Sequence, residues 1–507
     1  MSQPSWKRPT RWLLPVMILA YLVLGTLYAL YTPAWQAPDE PAHYNYIRYL
    51  AEQQRFPILK PGDYPAEYLE EIKAARFPPG MSIAPIRYEF HQPPLYYLLA
   101  VPVYGLLGGA LLPLRLLSVL LGALLLLVVH WTVHETAPSA PALALGATAF
   151  VAFLPMHLAM TAAVNNDTLT ELLLAVILLL SIRYVKASEP SPAEENTRLL
   201  VLLGITTGLG LVTKSSLYVA LPLVVMAILA RPLGLDRTEG RLALRRGSGQ
   251  AGLAKSLKDV ALYLAIAIGL AIPWWLRNVA LYGGVDFLGL GRHAQVVAGQ
   301  LRTAEFVAEH GFPLLIRDFT LTSFQSFWGQ FGWMGVLLDQ RLYQLLAILS
   351  ALAFVGFLMW AGGVWHRRAE FPGWQRAAAG LMALLVLLTV ATFVWYNTSF
   401  LQHQGRYLFR ALVPIGLAVA LGWREALGRK RALPLAILLL IGAALLRLMD
   451  LLPNWPLLML VATAAALAIR HFLPRRCDPL IHAAPYLLLI LFDLASLFFY
   501  VVPQLKV

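Results

Sequence analysis

Residues 31–50 read YTPAWQAPDEPAHYNYIRYL, beginning where the apolar run 12–31 ends. Asp39 and Glu40 are adjacent carboxylates between Pro38 and Pro41, followed by His43 and then Tyr44, Tyr46, Arg48 and Tyr49. The run before them has the length and apolarity of a helix that crosses a bilayer. The side to which that helix delivers the two acids decides how the rest of the chain is threaded.

Comparable runs recur from Trp12 to Val502 in a chain of 507 residues that is 59% hydrophobic and 13% charged. A water-soluble core needs no charge-free stretches of about twenty residues, so the chain is an all-α polytopic membrane protein. The net charge of +13 does not point to nucleic acid, because the basic residues gather between the apolar runs. Residues 231–258 hold seven Lys/Arg and two acids, the pattern of a cytoplasmic loop. The single Cys477 excludes an internal disulfide and has no companion at metal-site spacing. The start, MSQPSWKRPTRWLL, has the basic region of a signal peptide, but no convincing cleavage site precedes the acids. It reads as an uncleaved first helix.

Lys7, Arg8 and Arg11 place the N-terminus inside and Asp39 outside. Working back from the basic loop 231–258, the tip TKSS (213–216) is outside, and so is VNNDTL (164–169). Three apolar stretches separate Asp39 from Asn165: 93–111, 112–133 and 140–160. Both ends are outside, so an even number of them crosses. HQPPLYYLLAVPVYGLLGG (91–109) is short, opens on prolines and ends in glycines, and is taken as a juxtamembrane or re-entrant helix. The remaining spans give about thirteen, with the C-terminus outside. The two long outer segments are 32–111 and 278–341. Residues 1–425 form the expected catalytic module and 426–507 a set of C-terminal membrane helices. No internal repeat stands out, and no soluble domain is expected after the last helix.

Four groups of polar residues mark these outer segments, and each has a bland reading. Asp39 and Glu40 could simply begin a helix, but with His43 beside them they form a plausible acid–base cluster. RYEFHQPPLYY (87–97) puts Glu89, His91 and Gln92 before a proline-initiated helix. AVNNDTLTELLL (163–174) offers Asp167 as a helix cap, which leaves Asn165 and Asn166 unexplained. Lys214, Arg277, Arg406 and Arg410 are outward cations against the positive-inside trend. Singly they are snorkelling side chains; converging, they suit a lipid phosphate. Asp, Glu and Asn could hold Mg or Mn, but there is no HExxH and no Cys/His spacing.

Taken in order, PDEPAHYNYIRYL, HQPPLYY, VNNDTL, TKSS, SFWGQFGWMG and QGRYLF resemble the GT-C glycosyltransferases. They are most similar to a bacterial branch known as the domain of unknown function 2142, and more distantly to protein O-mannosyltransferases and aminoarabinose transferases. The resemblance runs to about residue 425. It implies the GT-C fold, a site on the outer face of the bacterial inner membrane, and a polyprenyl-phosphate sugar donor. The acceptor would be a glycan, lipid or protein. In such relatives the acid of the first outer loop is the catalytic position, which falls on Asp39, with Glu40 adjacent. Relatives often carry Lys or Glu before the prolines, where this chain has His91-Gln92.

On that resemblance Asp39 is the base that takes the acceptor's proton, and a single displacement inverts the anomeric carbon. Lys214, Arg277, Arg406 and the neighbouring Tyr407 would hold the leaving phosphate. His43, Glu89, His91, Gln92, Asn165, Asn166 and Asp167 would contact substrate. A lipid-linked glycan polymerase or ligase is the alternative with the same donor chemistry. A transporter or flippase would instead place its ionisable residues at mid-membrane.

Overall fold

The computed structural model describes residues 10–187, 193–230, 235–238, 241–244, 250–450 and 453–506. Helix α1 (Thr10–Tyr31) leads into three short helices, α2 (Glu40–Gln53), α3 (Ala66–Ala74) and α4 (Leu95–Leu106). Then come α5 (Leu111–Thr136), α6 (Pro141–Ala152), α7 (Pro155–Thr161), α8 (Asp167–Lys186), α9 (Ala193–Leu211) and α10 (Ala220–Ala230). The long α11 (Gln250–Tyr282) precedes α12 (Leu290–Val296), α13 (Thr303–His310) and α14 (Phe312–Trp328). The chain continues through α15 (Gln340–His366), α16 (Gly373–Asn397) and α17 (Leu412–Ala426). It ends with α18 (Arg429–Leu448), α19 (Asn454–Phe472) and α20 (Asp478–Ala495), which continues through a π-helical stretch (Ser496–Val501) into α21 (Val502–Leu505). Part of the basic loop expected at 231–258 lies outside the described residues.

Among the described residues ten helices are long and apolar enough to cross a membrane, or eleven if the bent pair α6–α7 is one span. The other two of the thirteen expected spans are helical but differ from the ten in physical ways. α9 carries Glu194, Glu195 and Arg198 in its first two turns, and Ser215–Ala230 is a shorter apolar helix. α4 has 12 residues. At 1.5 Å per residue it is about 18 Å long, too short for a hydrocarbon core of about 30 Å.

The expected single span at 140–160 is broken by 67° between α6 and α7. Pro155 starts α7, lacks a backbone donor, and forces Leu154 out of helical geometry (φ −82°, ψ 113°). Within the second outer segment, α12 and α13 are separate helices parted at Gly299 (φ 88°). SFWGQFGWMG closes α14 and forms a small antiparallel pair, Gln330–Phe331 with Val336–Leu337.

Helices in lipid associate through close packing rather than hydrophobic transfer, so small residues mark their contacts. α15 and α17 meet at Gly356 and Gly422. A Cβ at Gly422 would lie 1.8 Å from the Ala353 carbonyl oxygen, and one at Gly356 2.0 Å from that of Gly422. The largest apolar core fills the bundle, while α2, α4 and the loop between them build two smaller cores. Those two cores cap one end of the bundle. Around that cap gather the end of α1, the start of α8, the end of α9 and the turn before α17.

Candidate active site

Asp39 precedes α2 in the left-handed region (φ 67°, ψ −7°), where its carbonyl accepts from the backbone N–H groups of Ala42 and His43. A non-glycine residue held there carries strain of about 1–3 kcal/mol, which surrounding contacts must overcome. Its carboxylate supplies two of them. Tyr88 donates its hydroxyl to Oδ1 at 2.8 Å, and Arg406 donates Nη2 to Oδ2 at 2.7 Å. Burial would push the Asp39 carboxyl upward, but the Arg406 guanidinium and His43 outweigh it and hold the group below the usual carboxylate range. Its side chain remains 27% exposed, so the pair is reachable.

Arg406 is brought there by Gly405. A Cβ at Gly405 would lie 2.2 Å from the Ser323 carbonyl oxygen and 2.5 Å from the Phe327 nitrogen, and its N–H donates to the Ser326 hydroxyl at 2.7 Å. Only glycine lets the 3-10 turn Gly405–Ala411 press against α14. Arg406 Nε is buried and has no acceptor, while Tyr407 packs on Tyr396 and Phe393.

Glu40 faces the other way. Arg115 of α5 donates Nε to Oε1 at 2.8 Å and Nη2 to Oε2 at 2.6 Å. The backbone N–H groups of Val164 and Trp35 supply two more bonds. Arg115 uses its remaining donors on the carbonyls of Ala29, Thr32 and Pro33. A carboxylate has about four acceptor sites and a guanidinium five donors, so both groups are saturated. With side chains 0% and 3% exposed, the pair ties the end of α1 to α5 and to the loop before α8. Nothing in this arrangement leaves Glu40 a lone pair for substrate. Arg115 is the residue that sequence reasoning missed; its signal was a lone arginine inside an apolar run.

The loop before α8 divides its labour. Asn165 Oδ1 accepts from the N–H of Asp167 at 2.9 Å, while its amide donates to the Met160 carbonyl. Asn165, rather than Asp167, therefore satisfies the first turn of α8. Asn166 is fully buried between Gln92 and Thr213, with Oδ1 left without a partner. That frees Asp167 to accept from Lys214 at 2.7 Å, with both side chains partly exposed.

On the opposite wall the 3-10 turn Tyr88–His91 carries Tyr88 and Glu89. Burial is the main cause that raises the Glu89 carboxyl, and its Oε2 is buried without a hydrogen-bond partner. His91 Nδ1 lies 3.0 Å from the Tyr88 carbonyl, so the bond requires that nitrogen to carry the proton. Burial lowers His91 to about 4, leaving the ring neutral. It lies against His293 (ring centroids 4.3 Å apart), a neighbour outside the four sequence motifs. His43 Nδ1 is 2.8 Å from the Tyr97 hydroxyl, and burial lowers this histidine too. The Gln92 carbonyl accepts from the Tyr46 hydroxyl, while its side chain hydrogen-bonds Glu89.

Arg277 is not part of this group. Its guanidinium donates to the Pro57 carbonyl and stacks over Trp274 at 4.5 Å, clasping the first loop to α11. Arg410 donates to the carbonyls of Tyr407 and Ser216.

Residues 87–415 match the family described as a predicted membrane protein, DUF2142. The chain belongs to this family. The matched stretch opens at the turn that carries Tyr88 and Glu89 and closes just beyond Arg406; Asp39 lies before it. No curated protein matches the chain by sequence. Among solved structures, ArnT from Cupriavidus metallidurans bound to undecaprenyl phosphate is similar over 96% of this chain and 77% of its own, with TM-score 0.51 and 16% identity. The Archaeoglobus fulgidus oligosaccharyltransferase, tethered to an acceptor peptide containing the NVT sequon, is similar over 97% of this chain with TM-score 0.51 and 13% identity. The DUF2142 chain spans 56% of that enzyme's length. At these identities the likeness is one of fold, and it is the GT-C fold.

The site in this DUF2142 protein is thus a cluster of three carboxylates, Asp39, Glu89 and Asp167, with two cations, Arg406 and Lys214. Among the described residues no group of three or more His, Cys, Asp or Glu is arranged to hold a metal ion. Asp39 and Asp167 already answer to fixed cations, so these donors do not fit the Mg or Mn considered from sequence. What the arrangement offers is charge-assisted binding of an anion next to carboxylates.

Proposed function

We propose that this chain is an inverting glycosyltransferase that moves a sugar from a polyprenyl-phosphate donor to an acceptor on the outer face of the bacterial inner membrane. The observation that carries the reading is the Asp39–Arg406 pair, which joins the first loop to a turn 367 positions away and leaves Arg406 Nε without an acceptor. A phosphate oxygen suits that donor, and Lys214, paired with Asp167 in the same cluster, is a second cation. Arginine's planar fork matches phosphate geometry better than a point charge does.

An apolar cavity of about 700 Å³ supports the same reading. It lies among α14–α17, lined by Phe327, Trp360, Met382, Leu408 and Trp423, and starts two residues from Arg406. An isoprenoid tail there would put its phosphate at the guanidinium. Departure of a lipid phosphate needs charge stabilisation rather than a proton, which the cations provide. Thirteen spans with the N-terminus inside would put the charged cluster outside and α4 along the interface.

The test is transfer of radiolabelled sugar from defined undecaprenyl-phosphate sugars by membranes containing the chain. Label should leave the lipid fraction at a rate above membranes lacking the chain; no release from any donor contradicts the reading. Sidedness is checked by cysteines introduced at Asn165 and Gln250 in a Cys477→Ser background. Labelling of both from the same side contradicts the topology.

A further inference from the structure

The three carboxylates of the cluster differ in what is left on their oxygens. Asp39 has a donor on each, Tyr88 on Oδ1 and Arg406 on Oδ2. Asp167 is paired with Lys214. Glu89 alone keeps a buried oxygen, Oε2, with no partner. An orphaned buried acceptor is costly and persists where something else compensates.

Its backbone is held firmly. Arg87 anchors the turn through Asp63, its N–H reaching the Asp63 carbonyl and its guanidinium the Asp63 carboxylate, each at 2.9 Å. The N–H of Phe90 closes onto the carbonyl of Arg87, and that of Gln92 onto the carbonyl of Glu89. Pro93 and Pro94 follow at once, and the N–H of Leu95 is tied to the Val212 carbonyl. The Glu89 carboxyl is therefore placed by a rigid turn that also presents Tyr88 to Asp39. Rigid placement of a group with an unused lone pair is what proton abstraction requires.

We infer that Glu89, rather than Asp39, is the general base of the proposed transfer, and that Asp39 is a positioning residue for Arg406 and Tyr88. This rests on the glycosyltransferase reading. In the step, an acceptor hydroxyl oxygen forms a bond to the anomeric carbon, and the bond from that carbon to the phosphate oxygen breaks. The electron pair of that bond leaves on the polyprenyl phosphate, facing Arg406. The hydroxyl proton passes to Glu89 Oε2 and from there to water.

The electrostatics agree with this division. Burial raises Glu89 and Asp39 adds to the rise, against the opposing pull of His43, Lys214 and Gln92. The hydroxyls of Tyr88, Tyr97, Tyr396 and Tyr407 complete the surrounding titratable groups. Asp39 is held low by its cation. A base works best when its pKa lies near the working pH, so the raised carboxyl is the better proton acceptor.

The test uses the full chain in nanodiscs and a panel of radiolabelled undecaprenyl-phosphate hexoses and pentoses. Wild type, Glu89→Gln and Glu89→Asp are compared for transfer against pH and for binding of undecaprenyl phosphate. Glu89→Gln is expected to bind undecaprenyl phosphate as wild type does and to lose transfer by at least about 100-fold. Wild-type transfer should fall as the medium is acidified through a value above that of an ordinary glutamate. The Glu89→Gln residue of activity should lack that limb, and Glu89→Asp should restore part of the rate with the limb displaced. An active wild type beside an equally active Glu89→Gln, or a slow variant with the acidic limb unchanged, overturns the assignment. A wild type that transfers nothing from the panel overturns the glycosyltransferase reading, and the assignment with it.

Discussion

Asp39 and Arg406 meet at 2.7 Å although 367 positions separate them, and Gly405 makes the meeting possible. The contact ties the loop after α1 to the turn before α17. One carboxylate oxygen and one guanidinium nitrogen are committed to each other, and the Nε donor stays free.

If Arg406 holds the donor phosphate, Arg406→Gln should weaken undecaprenyl phosphate binding. A hydrogen bond to a charged group contributes about 1.5–3 kcal/mol, equivalent to about 10- to 150-fold in affinity. Arg406→Lys should recover only part of this, because an ammonium cannot reproduce the fork. Titration of the purified variants with the lipid reads the difference; equal affinities would reduce Arg406 to a structural role.

Glu40 and Arg115 should behave as a structural unit. Breaking a saturated, buried ion pair by removing one partner typically costs about 3–5 kcal/mol. Glu40→Gln and Arg115→Met should each lower the unfolding temperature markedly in detergent, and the double variant should cost less than the two singles added together. A Glu40→Gln protein of unchanged stability but without transfer would return Glu40 to the catalytic machinery.

Gly405→Ala should be severe, since its Cβ would meet backbone at 2.2 Å. Both thermal stability and undecaprenyl phosphate binding should fall. Gly269→Ala in α11 is the control: a Cβ there meets nothing within 4 Å, and alanine is the better helix former. Similar behaviour of the two variants would contradict the close-packed placement of Arg406.

Acidification should destabilise the folded chain over a window set by its buried histidines. His43, His91 and His293 are all lowered from 6.5, chiefly by burial, and His91 falls to about 4. Below 6.5 the unfolded chain then binds more protons than the folded one, so stability falls with pH down to about 4. Asp39 acts lower: its depressed pKa contributes stability that is lost only as pH drops through the folded value. His91→Asn should flatten the slope of unfolding temperature between these limits. An unchanged slope would contradict neutral burial of His91.

Much of this was legible where chemistry is local. The apolar run ending at Tyr31 and the prolines around Asp39 and Glu40 placed the acids at the mouth of the first helix. The short, proline-headed stretch at 93–111 corresponds to α4, which is too short to cross. Contacts between distant residues were not legible. Arg115 looks like one charge in an apolar run until Glu40, 75 positions earlier, is folded against it. Glu40 reads in the sequence as a partner of the base Asp39, yet Asp39 stays partly exposed and Glu40 is enclosed. Pro155 signalled the α6–α7 bend, but apolarity alone made 140–160 read as one span. Arg277 was grouped with the phosphate cations by its side of the membrane, whereas its partners are carbonyls of the first loop.

The measurement that tests the central claim most directly compares sugar transfer from radiolabelled undecaprenyl-phosphate donors by wild type and Asp39→Asn. The amide keeps the shape of the side chain but removes the charge that holds Arg406. Loss of a charge-assisted contact predicts a transfer rate lower by about 10- to 150-fold, with the variant still folded. An active wild type and an equally active Asp39→Asn would contradict the placement of the active site at the Asp39–Arg406 pair.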